Sequence, residues 1–341
     1  MDTVTQALFG AAVAQAGFRR RLGRRAIVAG AVLGVVPDLD VVAGWFGPVT
    51  NWIHHRGITH SLFFAPVLGP LVGWAIWRIL RDRERRGARI GGAASDEARA
   101  SWMWLCLLVL VTHPVIDLFT SYGTQLLAPL SRHRFAIDAM PIIEPVYSLA
   151  LLVAVLVGAF ARNATRATVA AAASLFFVSA YTLYGWSINE RIETQARLEL
   201  ARAGSAGAEV RAYPMLFQPW YRRVVAHTPD AVLIGFHSSL SDGPIGWQSF
   251  SRVDDPRVTT LAGTWEAGVF SWFAMDQVYW TVSSTDDGGA TVAATDLRYG
   301  MPGGTELGFW GIRGRLDATG SLTGPPEVFR RRPEATRGAW A

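Results

Sequence analysis

His54-His55-Arg56-Gly57-Ile58-Thr59-His60-Ser61 lies between two apolar runs, and it decides how the chain is read. Pro37-Asp38-Leu39-Asp40 and Thr112-His113-Pro114-Val115-Ile116-Asp117 lie in or beside further apolar runs. Ionisable side chains cost several kcal/mol inside a bilayer, so residues kept there are functional candidates by default. Three such groups within the first 120 residues, all of metal-ligand types, point to a metal centre built inside a membrane protein.

The distribution of apolar residues supports a membrane half and a water-exposed half. Runs such as Trp102–Val111 and Ser148–Phe160 fall in the first 190 residues, while the last 150 are mixed and polar. The single cysteine, Cys106, excludes an intramolecular disulfide. All 32 basic residues are arginine. The pI near 9.8 raises nucleic acid as a partner, but the arginines cluster beside apolar segments, as expected of cytoplasmic anchors; no nucleic acid is expected. Met1-Asp2 is acidic and the basic cluster follows the first apolar segment, so a cleavable signal peptide is not expected.

A bilayer core needs roughly 20 apolar residues per helix. Five segments qualify as spans: 26–46, 61–80, 102–120, 142–161 and 167–188, with a weaker one at 3–18. Arg19–Arg25, Arg78–Arg89 and Arg162–Arg166 then fall on one side of the membrane, which the positive-inside rule makes cytoplasmic. The loops 44–60 and 121–141 and everything after residue 190 become extracytoplasmic. At about 1.5 Å per residue, Asp38 lies roughly 18 Å from the inner end of its helix at Ala26. His113 and Asp117 lie roughly 16 and 22 Å from Trp102, and Glu144 roughly 26 Å from Ala161. His60 caps the outer end of its helix. Sequence-distant acids and histidines thus converge on the outer half of the bilayer.

His113 and Asp117 are spaced i, i+4 and share a helix face, with Pro114 between them expected to loosen the hydrogen-bond ladder. Asp38 and Asp40 straddle the region after Pro37, where two carboxylates can turn toward one ion. The expected ligands are Asp38, Asp40, His55, His60, His113 and Asp117. Such imidazole and carboxylate donors suit zinc, with manganese or iron as alternatives. A divalent ion there resolves the cost of burying charge and, with an open position, supplies hydrolytic chemistry. Glu144 or Asp40 is the candidate catalytic base, and Arg132 and Arg134 are candidate contacts to a substrate headgroup. Each group has a plainer reading beside this one. His113 and Asp117 can form an interhelical clamp, Asp38 and Asp40 a helix end, Glu144 a cap, and one of His54 and His55 a solvated loop side chain. No His-Glu-x-x-His, Gly-x-Ser-x-Gly, P-loop or Gly-x-Gly-x-x-Gly pattern is present.

These residues give the chain its resemblance to a known family. Met1-Asp2-Thr3-Val4-Thr5-Gln6 with Gly10, Pro37-Asp38-Leu39-Asp40 and His55-Arg56-Gly57-Ile58-Thr59-His60-Ser61 carry it first. His113-Pro114 with Asp117 and Ser121-Tyr122-Gly123-Thr124-Gln125 complete it. Over roughly residues 1–190 the chain resembles the YdjM family of membrane-bound, metal-dependent hydrolases. The resemblance implies a bacterial inner-membrane protein whose His and Asp residues form the metal site, and a link to zinc-dependent phospholipase-like hydrolases. One departure is Gln6, where many members carry His.

After residue 190 the sequence reads as a helix leaving the membrane and then, past Gly204, as strands over 221–225, 231–237, 269–274, 277–283, 291–297 and 306–312. Asp286-Asp287-Gly288-Gly289 reads as a hairpin turn. Trp220, Trp247, Trp265, Trp272, Trp280 and Trp310 are expected mostly in its core. The fold expected is a membrane α-helical bundle of five to six transmembrane helices (1–190), a small extracytoplasmic β-rich domain (191–325) and a disordered tail (326–341). The function expected is hydrolysis of a phosphoester or acyl ester in a lipid-like substrate at the outer leaflet, with membrane lipid as the surrounding partner. An ion- or proton-coupled transporter and a non-enzymatic structural or regulatory membrane protein stay open as alternatives.

Overall fold

The computed structural model describes residues 1–303 and 307–331 of the chain, which divide into two compact units. The first comprises residues 1–42 and 54–186, the second residues 43–53 and the chain from 187 onward.

Small residues set the packing of the first unit. Helix α1 (Thr3–Gly17) lies against α3 (Arg25–Val35), joined by the short α2 (Arg19–Leu22). A Cβ on Gly10 would strike the Gly30 carbonyl oxygen, one on Gly30 would strike that of Gly10, and one on Gly34 would strike that of Gln6. The two backbones therefore touch, as small residues allow between membrane helices. The same device joins α5 (Phe64–Arg85) to α6 (Asp96–Asp117), where a Cβ on Gly69 would lie 2.6 Å from Leu107 Cα and one on Gly73 2.5 Å from Met103 Cα. Trp77, Trp102, Leu105 and Val109 fill the core behind these contacts with Leu22, Ala26 and Leu33. Helix α7 (Pro145–Phe160) packs on α1, and Leu151 and Tyr147 share a second core with Ala12 and Ile116.

Every apolar segment expected from the sequence is helical. Among the described residues three helices are long and apolar enough to cross a membrane: Arg25–Phe46, Asp96–Asp117 and Ala164–Arg202 (α8). Pro48–His60, which includes α4 (Pro48–His54), and α5 make a fourth if that pair, bent by 64°, is one span. α7 is apolar but has 16 residues. α6 runs through Pro114 to Asp117 without a break. After α3 the chain tightens at Pro37 into a 3-10 helix over Pro37–Phe46. At the opposite end the arginine-bearing loops meet. Arg19 and Arg24 donate to the Ala161 carbonyl at 2.7 and 3.3 Å, and Arg25 to that of Ile90 at 2.8 Å.

The second unit holds two four-stranded antiparallel meanders. β1 (Glu209–Met215), β2 (Gln218–His227), β3 (Ala231–Ser238) and β4 (Gly246–Ser251) form the first. β5 (Val278–Ser284), β6 (Ala290–Asp296), β7 (Trp310–Leu316) and β8 (Glu327–Arg330) form the second. Ile188, Ile192, Ala196 and Leu200 of α8 cover the first sheet through Val210, Ala212, Val224 and Ala226. Between the sheets in sequence stand α9 (Pro256–Ala262) and α10 (Trp265–Phe273). Trp52 stacks on Phe273 and tilts against Phe270, with centroids 5.4 and 5.2 Å apart, which fixes residues 43–53 to this unit.

Four expectations change here. The run 269–274 is helix, because Thr264 caps α10 and Ala267, Phe270 and Phe273 bury one helical face. β7 begins four residues later than expected, and β1, β4 and β8 were not expected at all. None of the six tryptophans is fully buried: Trp247 packs partly buried on the first-sheet core, Trp272, Trp280 and Trp310 are half-buried, and Trp220 and Trp265 are exposed. The tail expected to be disordered opens with β8, and residues 332–341 lie outside the described residues.

Two predictions follow from the packing. Gly30→Val places its Cβ 2.5 Å from Ala14 Cβ and on the Gly10 carbonyl, so a fall in stability of about 3 kcal/mol is expected. It would be read as a lowered Tm in detergent, while Gly17→Ala, with open space around it, leaves Tm unchanged or slightly higher. In the second unit, burial lowers the Arg298 pKa but the Asp296 carboxylate, 2.7 Å away, raises it further, and the net shift is upward. Arg298→Met removes the guanidinium from the buried Asp296, which keeps the Trp310 indole and a backbone amide as donors, and a loss of about 3–5 kcal/mol is expected. The exposed pair Arg315–Asp287 contrasts with it, and Arg315→Ala is expected to leave the urea midpoint unchanged where Arg298→Met lowers it.

Candidate metal centre

The bonding of each imidazole fixes which nitrogen is free. His113 Nδ1 donates to the Gly34 carbonyl at 2.7 Å, because a carbonyl only accepts. His60 Nδ1 lies 3.0 Å from Thr59 Oγ1 and 3.2 Å from Asp40 Oδ2. The Thr59 hydroxyl already donates to that carboxylate oxygen at 2.6 Å, so the His60 Nδ1 proton also points to this side. Both Nε2 atoms are then unprotonated lone pairs in the neutral rings, and they face each other at 3.1 Å.

Two carboxylates face the same point. Asp38 Oδ1 lies 3.5 Å from His60 Nε2 and 3.4 Å from His113 Nε2. Asp117 Oδ2 lies 3.3 and 3.6 Å from the same two nitrogens. Asp117 Oδ2 is buried and has no hydrogen-bond donor among the described residues. One ligand atom from each of the four residues lies within 4.8 Å of all the others. With metal–ligand bonds of about 2.0–2.1 Å, the edge of a tetrahedron is about 3.3–3.4 Å. The five contacts quoted, 3.1 to 3.6 Å, centre on that length. Four converging lone pairs, a carboxylate oxygen with no donor among the described residues and five separations near the tetrahedral edge length make these residues fit a divalent ion such as zinc.

Local structure explains how the four meet. His113 and Asp117 sit on one face of the last turn of α6. Asp38 enters because the chain tightens at Pro37, and His60 because Ile58–His60 forms a single 3-10 turn. The Gly34 carbonyl that holds His113 lies on the α3 surface pressed against Gln6.

The remaining expected site residues take other positions. Asp40 does not turn to the same point as Asp38. It accepts from His55 Nδ1 at 2.6 Å and from the Arg56 amide at 3.0 Å, and so clamps the loop that carries His60 from behind. His55 stands on the far side of Asp40, its ring 5.3 Å from that of Tyr122. Glu144 is buried as the N-cap of α7, accepting from the Val146 amide at 3.2 Å, and is outside the four-residue group. Arg134 is buried and donates to the Tyr122 and Gly123 carbonyls at 3.3 and 2.8 Å, so it shapes the loop, while Arg132 is exposed. His54 is also exposed.

Two residues at the centre went unassigned by sequence reasoning. Arg56, buried, places NH2 3.2 Å from Asp117 Oδ1 and donates from NH1 to Thr120 Oγ1 at 2.8 Å. Its guanidinium also lies 4.8 Å from the Tyr122 ring centre. Its position between two histidine-bearing turns, in the stretch that carries the family resemblance, was the signal available. Gln6, in place of an imidazole, donates to Asp117 Oδ1 at 3.0 Å and to the His113 carbonyl at 3.3 Å. The Met1 amino group reaches the same Asp117 oxygen. Asp117 thus has one oxygen saturated with donors and the other free.

Known proteins match the chain over this centre and beyond it. The sequence pattern of the family described as YdjM inner membrane protein matches residues 1–192. A Bacillus subtilis (strain 168) protein named "Uncharacterized protein YfhP" is 23% identical over 276 residues, 78% of this chain and 75% of that protein. That alignment is longer than the 192-residue family match, so part of the β-rich region is shared as well. No solved structure matches. All four residues of the centre lie inside the family match, and the chain belongs to the YdjM family of inner membrane proteins.

Proposed function

We propose that the protein is a membrane-embedded, metal-dependent hydrolase acting on a phosphoester or acyl ester of a lipid-like substrate at the outer leaflet. The observation that carries this reading is the buried convergence of two imidazole Nε2 atoms and two carboxylates, one with an oxygen that has no hydrogen-bond donor among the described residues. Asp38, His60, His113 and Asp117 would hold the ion, zinc by donor set and edge length, with manganese or iron as alternatives. When bound, such an ion supplies a Lewis acid and lowers the pKa of a coordinated water.

Four protein ligands also fill a tetrahedron, the arrangement of structural zinc. Asp38 is where the site opens. Its side chain is 11% exposed, against 0–1% for the other three. The 3-10 turn that carries it shows Leu39, Val41 and Val42 on its outer surface, a rim suited to an acyl chain. Arg56 adds a cation beside Asp117, and its buried Nε has no acceptor among the described residues. A buried guanidinium donor next to the centre suits a phosphoryl oxygen. Asp40 orients His60 and holds its Nδ1 proton, and Arg132, exposed on its loop, would meet a headgroup there.

The outer-leaflet assignment is supported by the ends of the first unit. Arg19, Arg24 and Arg25 gather with the 89–90 and 161–163 loops at one end, which the positive-inside rule makes cytoplasmic. Asp38 and Asp117 stand at the other ends of α3 and α6. The packing of Trp52 on Phe270 and Phe273 supports the placement of loop 43–53 and the β-rich unit on one common side, outside the cytoplasm.

Metal analysis of the detergent-purified protein by mass spectrometry, prepared without chelators, tests the proposal first. About one equivalent of zinc, manganese or iron is expected, lost in folded His113→Ala and Asp117→Ala. The metal-loaded protein should cleave a phospho- or acyl-ester lipid that Asp117→Ala leaves intact. No metal in a folded wild type overturns the reading, and bound metal without turnover of either ester class assigns a structural site. Asp40→Asn removes no member of the group of four but frees His60 to rotate, and is expected to weaken metal affinity about 10–100-fold in a chelator competition.

A further inference from the structure

One apolar surface of the second unit takes no part in the centre. Leu216 and Phe217 form the turn between β1 and β2, Trp220 follows on β2, and Leu240 comes just after β3. They are 48, 60, 43 and 75% exposed. The Ser239 amide donates to the Trp220 carbonyl at 2.8 Å, so all four gather at one end of the first sheet. No charged residue occurs from Leu216 to Tyr221. Phe217 is held at φ 62°, a conformation that glycine takes freely and a phenylalanine rarely. An exposed aromatic kept at such a position, within a cluster of apolar side chains, marks an interaction surface.

The direction in which this end points can be read along α8. The Ala212 amide of β1 donates to Glu193 Oε1 at 3.0 Å, and Arg222 Nε, whose residue pairs with Pro214, donates to Asn189 Oδ1 at 3.0 Å. Moving from Ala212 to Pro214, toward the turn, thus runs down α8 from Glu193 to Asn189. Two strand residues advance about 6.7 Å and four helical residues about 6 Å, so strand and helix keep pace. The turn therefore lies at the end of the unit where α8 passes into its apolar half. That helix is long and apolar enough to cross a membrane. A chain leaving a bilayer at this point puts the turn at the boundary with water, where Trp and other aromatic side chains collect.

We propose that Leu216, Phe217, Trp220 and Leu240 insert into the interfacial layer of the bilayer, in the leaflet from which α8 emerges. The occupant is lipid because the cluster is uncharged, aromatic and set at the membrane end of the helix that carries the unit. The seat would hold the first sheet against the bilayer by its apolar turn as well as by α8. The inference is independent of the metal centre and of any hydrolytic activity.

The test uses the full chain in phosphatidylethanolamine–phosphatidylglycerol vesicles, with Cys106→Ala to remove the buried native thiol. Single cysteines at Phe217→Cys and Leu240→Cys, and at Asp230→Cys in the β2–β3 turn at the sheet's other end, carry an environment-sensitive fluorophore. Lipid-borne nitroxides are expected to quench positions 217 and 240 at least threefold more than position 230, with aqueous iodide giving the reverse order. Leu240→Cys carries the test if loss of the strained Phe217 disturbs the turn, and an unchanged Tm establishes folding. Iodide quenching at 217 and 240 equal to that at 230 overturns the proposal. Protection from both quenchers also overturns it, and assigns the surface to a second copy of the chain or a protein partner.

Discussion

Two imidazole nitrogens and two carboxylate oxygens aimed at one buried point, four lone pairs when the rings are neutral, are the constraint on which the first unit is built. Two imidazoles whose Nδ1 protons are already committed cannot hydrogen-bond to each other through Nε2, and 3.1 Å apart they repel. Asp38 and Asp117 add negative charge to the same point. In water such a group would separate. Among apolar helices a cation at the centre would offset that repulsion, and the edge lengths suit a divalent one.

The surroundings divide that task. Arg56, Gln6 and the Met1 amino group saturate one oxygen of Asp117, which leaves the other to the centre. Asp40 works at one remove, fixing the His60 ring through Thr59 and Nδ1 while holding the loop through the Arg56 amide and His55. The glycine contacts matter for the same reason. Gly34 lets α3 approach Gln6 closely enough for its carbonyl to meet His113, so the centre depends on a helix crossing as much as on its ligands.

Helical segments were legible because each is a long apolar run, and α1, the weakest of them, still folds as a helix capped by Asp2. The strands were harder to read. The Val-Phe-Trp composition of 269–273 looks like a strand, yet its apolar residues recur three apart and the caps are helical. β1 hides behind Pro214, which an edge strand tolerates. The tryptophans misled for a different reason. The core under the first sheet is filled mainly by Val, Ala, Ile and Leu side chains with Trp247 only at its edge, and Phe217 and Trp220 stay exposed at one end of that sheet.

Within the site, the sequence by itself determined the residue types and their local spacing. His113 and Asp117 share a helix face because 3.6 residues make a turn, and ionisable groups in apolar runs are retained only for a purpose. It could not separate Asp38 from Asp40, or His55 from His60, since residues two or five apart in a non-helical stretch can point anywhere. Tertiary structure decided that. The 3-10 turn after Pro37 sends Asp38 to the centre and Asp40 behind His60, and the α7 cap takes up Glu144. It also brought in Arg56 and Gln6, whose roles depend on partners about 60 and 110 residues away that no local pattern encodes.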